Sequence, residues 1–446
     1  MSTLAPLTEQ QPTLEQAAAY ALTLAAARSD QAAVHLTKSS GLTVSSRLAA
    51  LERLEFNQHG ALSITVYCNH CSGTASTTDL TTQAIEQAVG AAIAIAQATS
   101  ADPYAGLAEP AFLAFEALEL DLYHPWELTA DEAIQQVIQC EKIALETDQR
   151  VVNSEGATLE SFSGLTIYGN SHGMLQSYLS SRHTLSCCVI AQQQEQQQRD
   201  YAYTVARDPQ GLRSLEWVGH EAAQRAVSRL GARQLVTQQT PVLFSADMAP
   251  SLWKHLAQAL QGSNLYRQSS FLLNRLGETI FPAWLSIEER PHQPKGLHST
   301  PFDAEGVSTR SQPIIAQGQL QSYLLSSYSA RKLGLQTTGH AGGLHHWQVS
   351  HQTADLATLL KQMQRGLLVT ELMGQGVNIV TGDYSRGAAG FWVEGGEIQY
   401  PVHEITIAGN LLTLFKEIVA IGSDLETRSS IQTGPVLISS MQIAGS

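Results

Sequence analysis

GLLVTELMGQGVNIVTGDYSRGAAGFWVEGGEIQYPVHEITIAG, residues 366–409, is the most strongly patterned part of the chain. Phe391, Trp392 and Val393 on one side and Ile398, Gln399 and Tyr400 on the other flank Glu394-Gly395-Gly396-Glu397. Aromatic and β-branched arms around two glycines able to take positive φ predict a β-hairpin. Ahead of it, residues 382–390 are small and glycine-rich, which lets another backbone or a peptide come close. After it, His403-Glu404-Ile405-Thr406-Ile407 alternates with the period of a half-buried strand.

Outward from this stretch, the N-terminal half reads as helices around strands. Thr13-Leu14-Glu15-Gln16 has the form of a capping box ahead of an alanine-rich helix to about residue 28. Strands are expected at 33–38, 42–51 and 61–69, with Asn57-Gln58-His59-Gly60 as a turn and 73–78 as a small-residue loop. A long helix follows over 80–98, and a second capping box, Thr129-Ala130-Asp131-Glu132, opens another to about 147. Strand-like segments follow at 151–153, 157–168, 175–179, 183–191 and 201–205. The glutamine run 192–198 reads as a solvated hairpin loop. A helix at 215–230 closes this half, and 231–240 reads as a hinge. Beyond it lie a strand from Pro241, a helix at 251–261, and mostly strands and turns. No internal repeat is visible. The expectation is a two-domain α+β protein divided at 1–232 and 233–446. The N-terminal domain would be a mixed sheet with long helices. The C-terminal one would be mostly antiparallel β, curved or barrel-like, with a helix packed on it.

The 446 residues include 26 Lys and Arg against 40 Asp and Glu, a net charge of −14. That balance argues against nucleic-acid binding, which needs clustered cations, and against anionic membranes. The N-terminus has neither the basic nor the apolar region of a signal peptide, and the apolar run 88–96 is too short to span a bilayer. Five unevenly placed cysteines point to a reduced, cytoplasmic setting. Cys68 alternates with Ile64 and Val66 and is expected in the core, as is Cys140. Cys187 and Cys188, on opposite faces of a strand, are expected as free thiols.

Several groups invite a chemical reading. His220-Glu221 resembles the start of a helical metal motif, but position 225 is Arg, so a surface pair is expected. His255 is expected at the surface or an interface. His340, His345, His346 and His351 crowd a glycine-rich loop, which offers either a metal site or a groove-lining, solvated loop. Tyr384, Ser385 and Arg386 offer acid–base or anchoring groups. Arg386 in particular can fork onto a peptide carboxylate, although the same groups can simply pin the hairpin. No nucleophile elbow, P-loop or dinucleotide fingerprint is present.

The hairpin segment, the tail Ile421–Arg428 with Ser430–Gly434, and upstream Arg53–Phe56, Gly73–Leu80 and Asn153–Gly156 closely resemble the TldD/PmbA peptidase family, in particular its PmbA (TldE) branch. The likeness covers nearly the whole chain. TldD carries a His-Glu-x-x-x-His zinc helix and a C-terminal cysteine. Aligning on Leu260-Gln261-Gly262-Ser263 puts Trp253, Lys254 and Gln258 where the family's His, Glu and His stand. No cysteine follows Cys188. Tryptophan cannot ligate zinc, lysine is a cation at the base position, and glutamine is a poor ligand. The resemblance therefore implies a chain with no metal or cofactor of its own, the zinc residing in a TldD-like partner. It also implies an N-terminal substrate-channel domain and a metalloprotease-like C-terminal domain. His345, Tyr384, Ser385 and Arg386 are then groove candidates. Implied substrates are unfolded peptides, including a microcin precursor and a labile antitoxin. Two alternatives stay open: an independent hydrolase centred on the histidine loop, and a homodimeric peptide-binding scaffold.

Overall fold

The computed structural model describes residues 6–116 and 118–445. The N-terminal part runs α1 (Leu7–Ala26), β1 (Gln31–Arg47), β2 (Ala50–Cys68), β3 (Cys71–Thr77), α2 (Thr82–Ala98), α3 (Ala130–Thr147), β4 (Val151–Asn170), β5 (Leu175–Gln193), β6 (Gln196–Ala206) and α4 (Leu215–Ser228). The strands form one sheet in the order β3-β2-β1-β4-β5-β6. Every pairing in it is antiparallel, so this sheet is not mixed in direction as expected; the parallel pairs lie in the C-terminal domain. The four longest strands hold 17 to 20 residues, far beyond the usual ~5–6.

The helices cover one face in two pairs. Leu14, Ala18, Val89 and Ala92 of α1 and α2 pack on Val34, Leu36, Ile64 and Leu165. Val137, Ala144, Ala222 and Ala226 of α3 and α4 pack on Leu42, Val44, Leu185 and Val189. The element order helix, three strands, helix thus occurs twice, and the halves meet where β1 pairs β4. This repeat exists in the fold and not in the sequence. Both central strands supply residues to both cores, Leu165 and Ile167 to one and Leu42 and Val44 to the other.

Three local expectations are corrected. The first helix starts at Leu7 and runs through Thr13, because Leu7 and Leu14 are both buried in its core and Glu15 accepts from Ser177 of β5 at 2.5 Å. The first hairpin turns at Leu48-Ala49, both at positive φ (50° and 58°), and not at Asn57–Gly60, which pairs in register with Gly41–Lys38. A carboxylate from another helix makes this turn possible: buried Glu141 accepts from the amides of Leu48 (2.7 Å) and Ala49 (3.0 Å). Residues 73–77 form strand, not loop, and their smallness serves packing: a Cβ on Gly73 would lie 2.0 Å from the carbonyl oxygen of Ala92 in α2.

The C-terminal part contains β7 (Gln238–Phe244), α5 (Pro250–Leu260), α6 (Gly262–Tyr266), β8 (Ile287–Glu289), β9 (Gln312–Ala316), β10 (Gln319–Leu320), α7 (Ser327–Leu333), β11 (Trp347–Val349), α8 (Leu356–Met363), β12 (Gly366–Met373), β13 (Val377–Asn378), β14 (Asp383–Glu394), β15 (Glu397–Asn410), α9 (Leu411–Lys416), β16 (Ile418–Ile421), β17 (Ile431–Gln432) and β18 (Val436–Ala444). Strands β12, β7, β18, β15 and β14 close on themselves through the extra β12–β14 pairing, giving a barrel in which only β7–β12 is parallel. The hairpin expected at the outset is β14–β15, turning at Gly395 (φ 63°) and Gly396 (φ 77°). Helix α5 packs its apolar side into the core with Leu252, Trp253, Leu256 and Leu260.

The sheet face free of helices meets the C-terminal domain. Phe302 contacts Tyr178 and Tyr168, with ring centroids 5.4 and 6.3 Å apart. Arg428 lies 4.4 Å over the Tyr203 ring while bonding Asp247 (2.5 Å) and Glu426. Arg207 donates to the carbonyl of Gly296 at 2.8 Å, and Tyr328 to Asp102 at 2.6 Å. Among the described residues no helix is long and apolar enough to cross a membrane.

Candidate functional site

Helix α5 carries the three positions aligned with the zinc motif, and it sends them different ways. Trp253 is fully buried between Phe281 and Phe415, and its indole N–H donates to Thr433 at 3.1 Å. Lys254 and Gln258 are exposed. The indole fills core space and has spent its one donor, the ammonium repels a cation, and the amide points to solvent. These residues do not fit a zinc ion. Among the described residues no group of three or more His, Cys, Asp and Glu is arranged to hold a metal.

The neighbouring residue on α5, His255, expected at the surface or an interface, is half-buried. Its ring meets that of Tyr384 edge-on at 5.9 Å. Tyr384 and Arg386 lie two apart on β14 and therefore share a face, whereas Ser385 between them is exposed and faces away. The His255 Nε2, Tyr384 hydroxyl and Arg386 Nε atoms are closed off from solvent, and none has a hydrogen-bond partner among the described residues. Burial pushes the His255 imidazole down to about 4, and the charges of Arg386 and Lys254 add to that. Burial likewise raises the Tyr384 phenol, against the pull of Arg386. The structure thus brings together Tyr384 and Arg386, which the sequence singled out, with Lys254 and His255. Alternation along the strand was the available signal for the first pair; nothing local announced that α5 lies beneath them.

His345 belongs elsewhere. It and His340 stack at 5.5 Å beside Glu289 of β8, and all three are buried. His340 Nε2 lies 2.5 Å from one Glu289 oxygen, and the His345 amide donates to the other at 2.9 Å. The His345 ring bonds the carbonyl of Gly339 at 2.7 Å, and His340 Nδ1 lies 2.8 Å from the Thr338 hydroxyl. Burial works against the Glu289 charge, yet His340 and the His345 amide outweigh it and hold the carboxyl below its usual range. His346 is buried too and His351 alone is exposed, so most of this loop is not solvated. Glu289, 51 residues before His340 in the sequence, is the group that sequence reading missed.

The remaining candidates are structural. His220 is exposed and bonds Thr147 at 2.8 Å, while Glu221 pairs with Arg225 at 2.6 Å. All five cysteines are free, with Cys140 and Cys187 buried and Cys68 partly buried against the α1–α2 core.

A barrel carrying a helix whose metal-motif seats hold Trp, Lys and Gln, joined to a long-stranded helix-backed sheet, defines the class. The patterns for the PmbA/TldA metallopeptidase domain 1, central domain and C-terminal domain match residues 32–96, 123–230 and 237–445. The chain is 53% identical over 445 residues to the metalloprotease PmbA of Escherichia coli O157:H7, covering 100% of this chain and 99% of that one. It is 51% identical over 440 residues to the metalloprotease PmbA homolog of Haemophilus influenzae, covering 98% of each. The solved structure of TldE from Thermococcus kodakarensis superposes with a TM-score of 0.85 at 20% identity, covering 96% of this chain and 100% of that one, which shows the shared fold. The chain belongs to the PmbA/TldD metallopeptidase family.

Proposed function

We propose that this chain is the PmbA/TldE-type, non-catalytic subunit of a TldD-type zinc protease, acting in the cytoplasm on unfolded peptides. Microcin maturation and antitoxin degradation are its expected settings. It pairs with a TldD-like subunit that carries the zinc, and helps shape the channel through which an extended peptide reaches that metal. The observation that carries this reading is Trp253: the seat of the first metal ligand is a buried indole bonded to Thr433. An unpaired edge of the N-terminal sheet supports it as well, since a strand-like substrate is recognised by main-chain bonds. Among the described residues, 50–60 of β2 have no strand paired on their outer side, because β3 pairs with Leu62–Cys68.

Purified alone and given excess zinc, the chain is expected to take up no stoichiometric metal and to cleave no unfolded peptide. Co-expressed with a TldD-like chain, it is expected to give a stable pair with one zinc per pair. Chelator-sensitive cleavage by the lone chain, or a zinc ion beside Gln258, would falsify the proposal. A lone homodimer that refuses to exchange subunits would favour a self-pairing scaffold instead.

A further inference from the structure

Three polar atoms of the cluster over α5 lack a hydrogen-bond partner among the described residues, and two cations stand beside them. Tyr384 is 1% exposed, and its hydroxyl has no partner among the described residues. The Nε2 atom of His255 and the Nε atom of Arg386 are in the same condition. Buried polar atoms are nearly always paired, and an exception calls for an explanation such as strain, a chemical role, or a bound water or ion. Neither Lys254 nor Arg386 belongs to any ion pair among the described residues, in a chain with 40 acidic side chains. The charged groups acting on His255 are Arg386 and Lys254, with the Tyr384 ring against it, and no carboxylate contributes.

The positive field extends across the domain boundary. His298, in the loop facing the sheet, is pushed down to about 4 by burial and by Arg182, His346, Arg207 and Lys254. Arg182 and Arg207 come from the N-terminal sheet and the loop following it. Cations from both domains therefore act on His298, Lys254 the most weakly of them.

We propose that Lys254, His255, Tyr384 and Arg386 form a binding site for a carboxylate, the group carried by the C-terminus or an acidic side chain of an extended peptide. The guanidinium supplies a planar fork matched to two coplanar oxygens. The phenol gives a short O–H donor, and Lys254, the exposed member, adds a positive charge on the solvent side. Burial first, and then the Arg386 and Lys254 charges, keep His255 neutral; a carboxylate offsets those charges and favours the imidazolium, so His255 takes up a proton on binding and becomes a further donor. Binding is accordingly tighter at pH 5.5 than at pH 8. This site deepens the peptide-channel reading on which it rests, by naming the end of the peptide that this chain holds.

The test uses the full chain and three probes: acetate, inorganic phosphate, and an unstructured heptapeptide as free acid and as C-terminal amide. Calorimetric titration is expected to give at least a 10-fold preference for acid over amide. Acetate competes with the acid, and phosphate does so only at higher concentration. NMR titration of His255 is expected to show its pKa rising as acetate is added. Arg386→Gln and Lys254→Gln, checked for folding by near-UV circular dichroism, lose the acid preference. His255→Gln keeps part of it and loses its pH dependence. Equal binding of acid and amide, no acetate effect on His255, or a preference surviving in both Arg386→Gln and Lys254→Gln overturns the site. Phosphate competing as well as acetate overturns the carboxylate assignment. These outcomes leave the subunit role standing, whereas zinc-dependent cleavage by the lone chain removes that role without touching the acid preference.

Discussion

Two histidine clusters in one domain invite opposite conclusions. Around Glu289, His340 and His345 each find carboxylate, carbonyl or hydroxyl partners, and the carboxylate faces both of them. Around His255, three polar atoms closed off from solvent have no hydrogen-bond partner among the described residues. The first cluster was the richer in the sequence, with four histidines crowded into 340–351, and two of them are tied to the Glu289 carboxylate, although His346 Nδ1 has no hydrogen-bond partner among the described residues. The second had one histidine on a helix of altered motif and retains unused capacity. Counting chemical groups in a sequence points to the first; asking which of them are satisfied in the fold points to the second.

The sharpest way to break this comparison is to remove the centre of the paired cluster. Glu289→Ala leaves the buried His340 imidazole and the His345 amide without their shared partner, and is expected to destabilise the chain by about 3–5 kcal/mol in urea unfolding. A loss below about 1 kcal/mol would mean that the cluster is not held together by that carboxylate. Two tyrosines make a finer contrast. The Tyr323 hydroxyl donates to the carbonyl of Leu272 (2.9 Å) and accepts from the amide of Arg275 (3.1 Å), so Tyr323→Phe is expected to cost about 1–2 kcal/mol.

Acid should act through His255 next. Its folded pKa lies below the unfolded value, so the unfolded chain binds the extra proton between pH 6.5 and about 4. Its contribution is present above that window and fades as pH falls through it, on the order of 1 kcal/mol once partial exposure is discounted. Comparing unfolding at pH 7 and pH 5 for wild type and His255→Gln checks this; parallel curves would refute it. Smallest of all, Tyr384→Phe removes a hydroxyl that bonds nothing, so anion-free stability is expected to change by less than about 0.5 kcal/mol. A loss matching that of Tyr323→Phe would show that the Tyr384 hydroxyl has an acceptor.

Where local chemistry decided an element, the sequence was legible. Thr129 and Glu132 form the capping box read from their spacing, and Gly395-Gly396 make the turn between the arms of the last hairpin. Where a distant group decided, it was not. No local rule puts the first hairpin turn at Leu48-Ala49, because the acceptor that steadies it sits on a helix some ninety residues later. Strand lengths were underread for the same reason: Asn57–Gly60 has turn chemistry, but a long partner on β1 keeps it extended. The altered zinc positions were readable one by one. That His255, Tyr384 and Arg386 converge depends on a helix and a strand about 130 residues apart, which no period or spacing encodes.

The doubled N-terminal sheet has a seam, and the seam is its least redundant part. Strands β1 and β4 pair over thirteen positions, and each threads side chains into the oily layer belonging mainly to the other half. A chain severed in the connector between α2 and α3 would leave either piece with a raw flank of extended backbone and a core short of its borrowed leucines. Since the lost neighbour ran antiparallel, a second copy of the same piece offers a ready substitute. Each piece expressed alone should therefore zip to itself as a symmetric pair, a product of the way this sheet is shared.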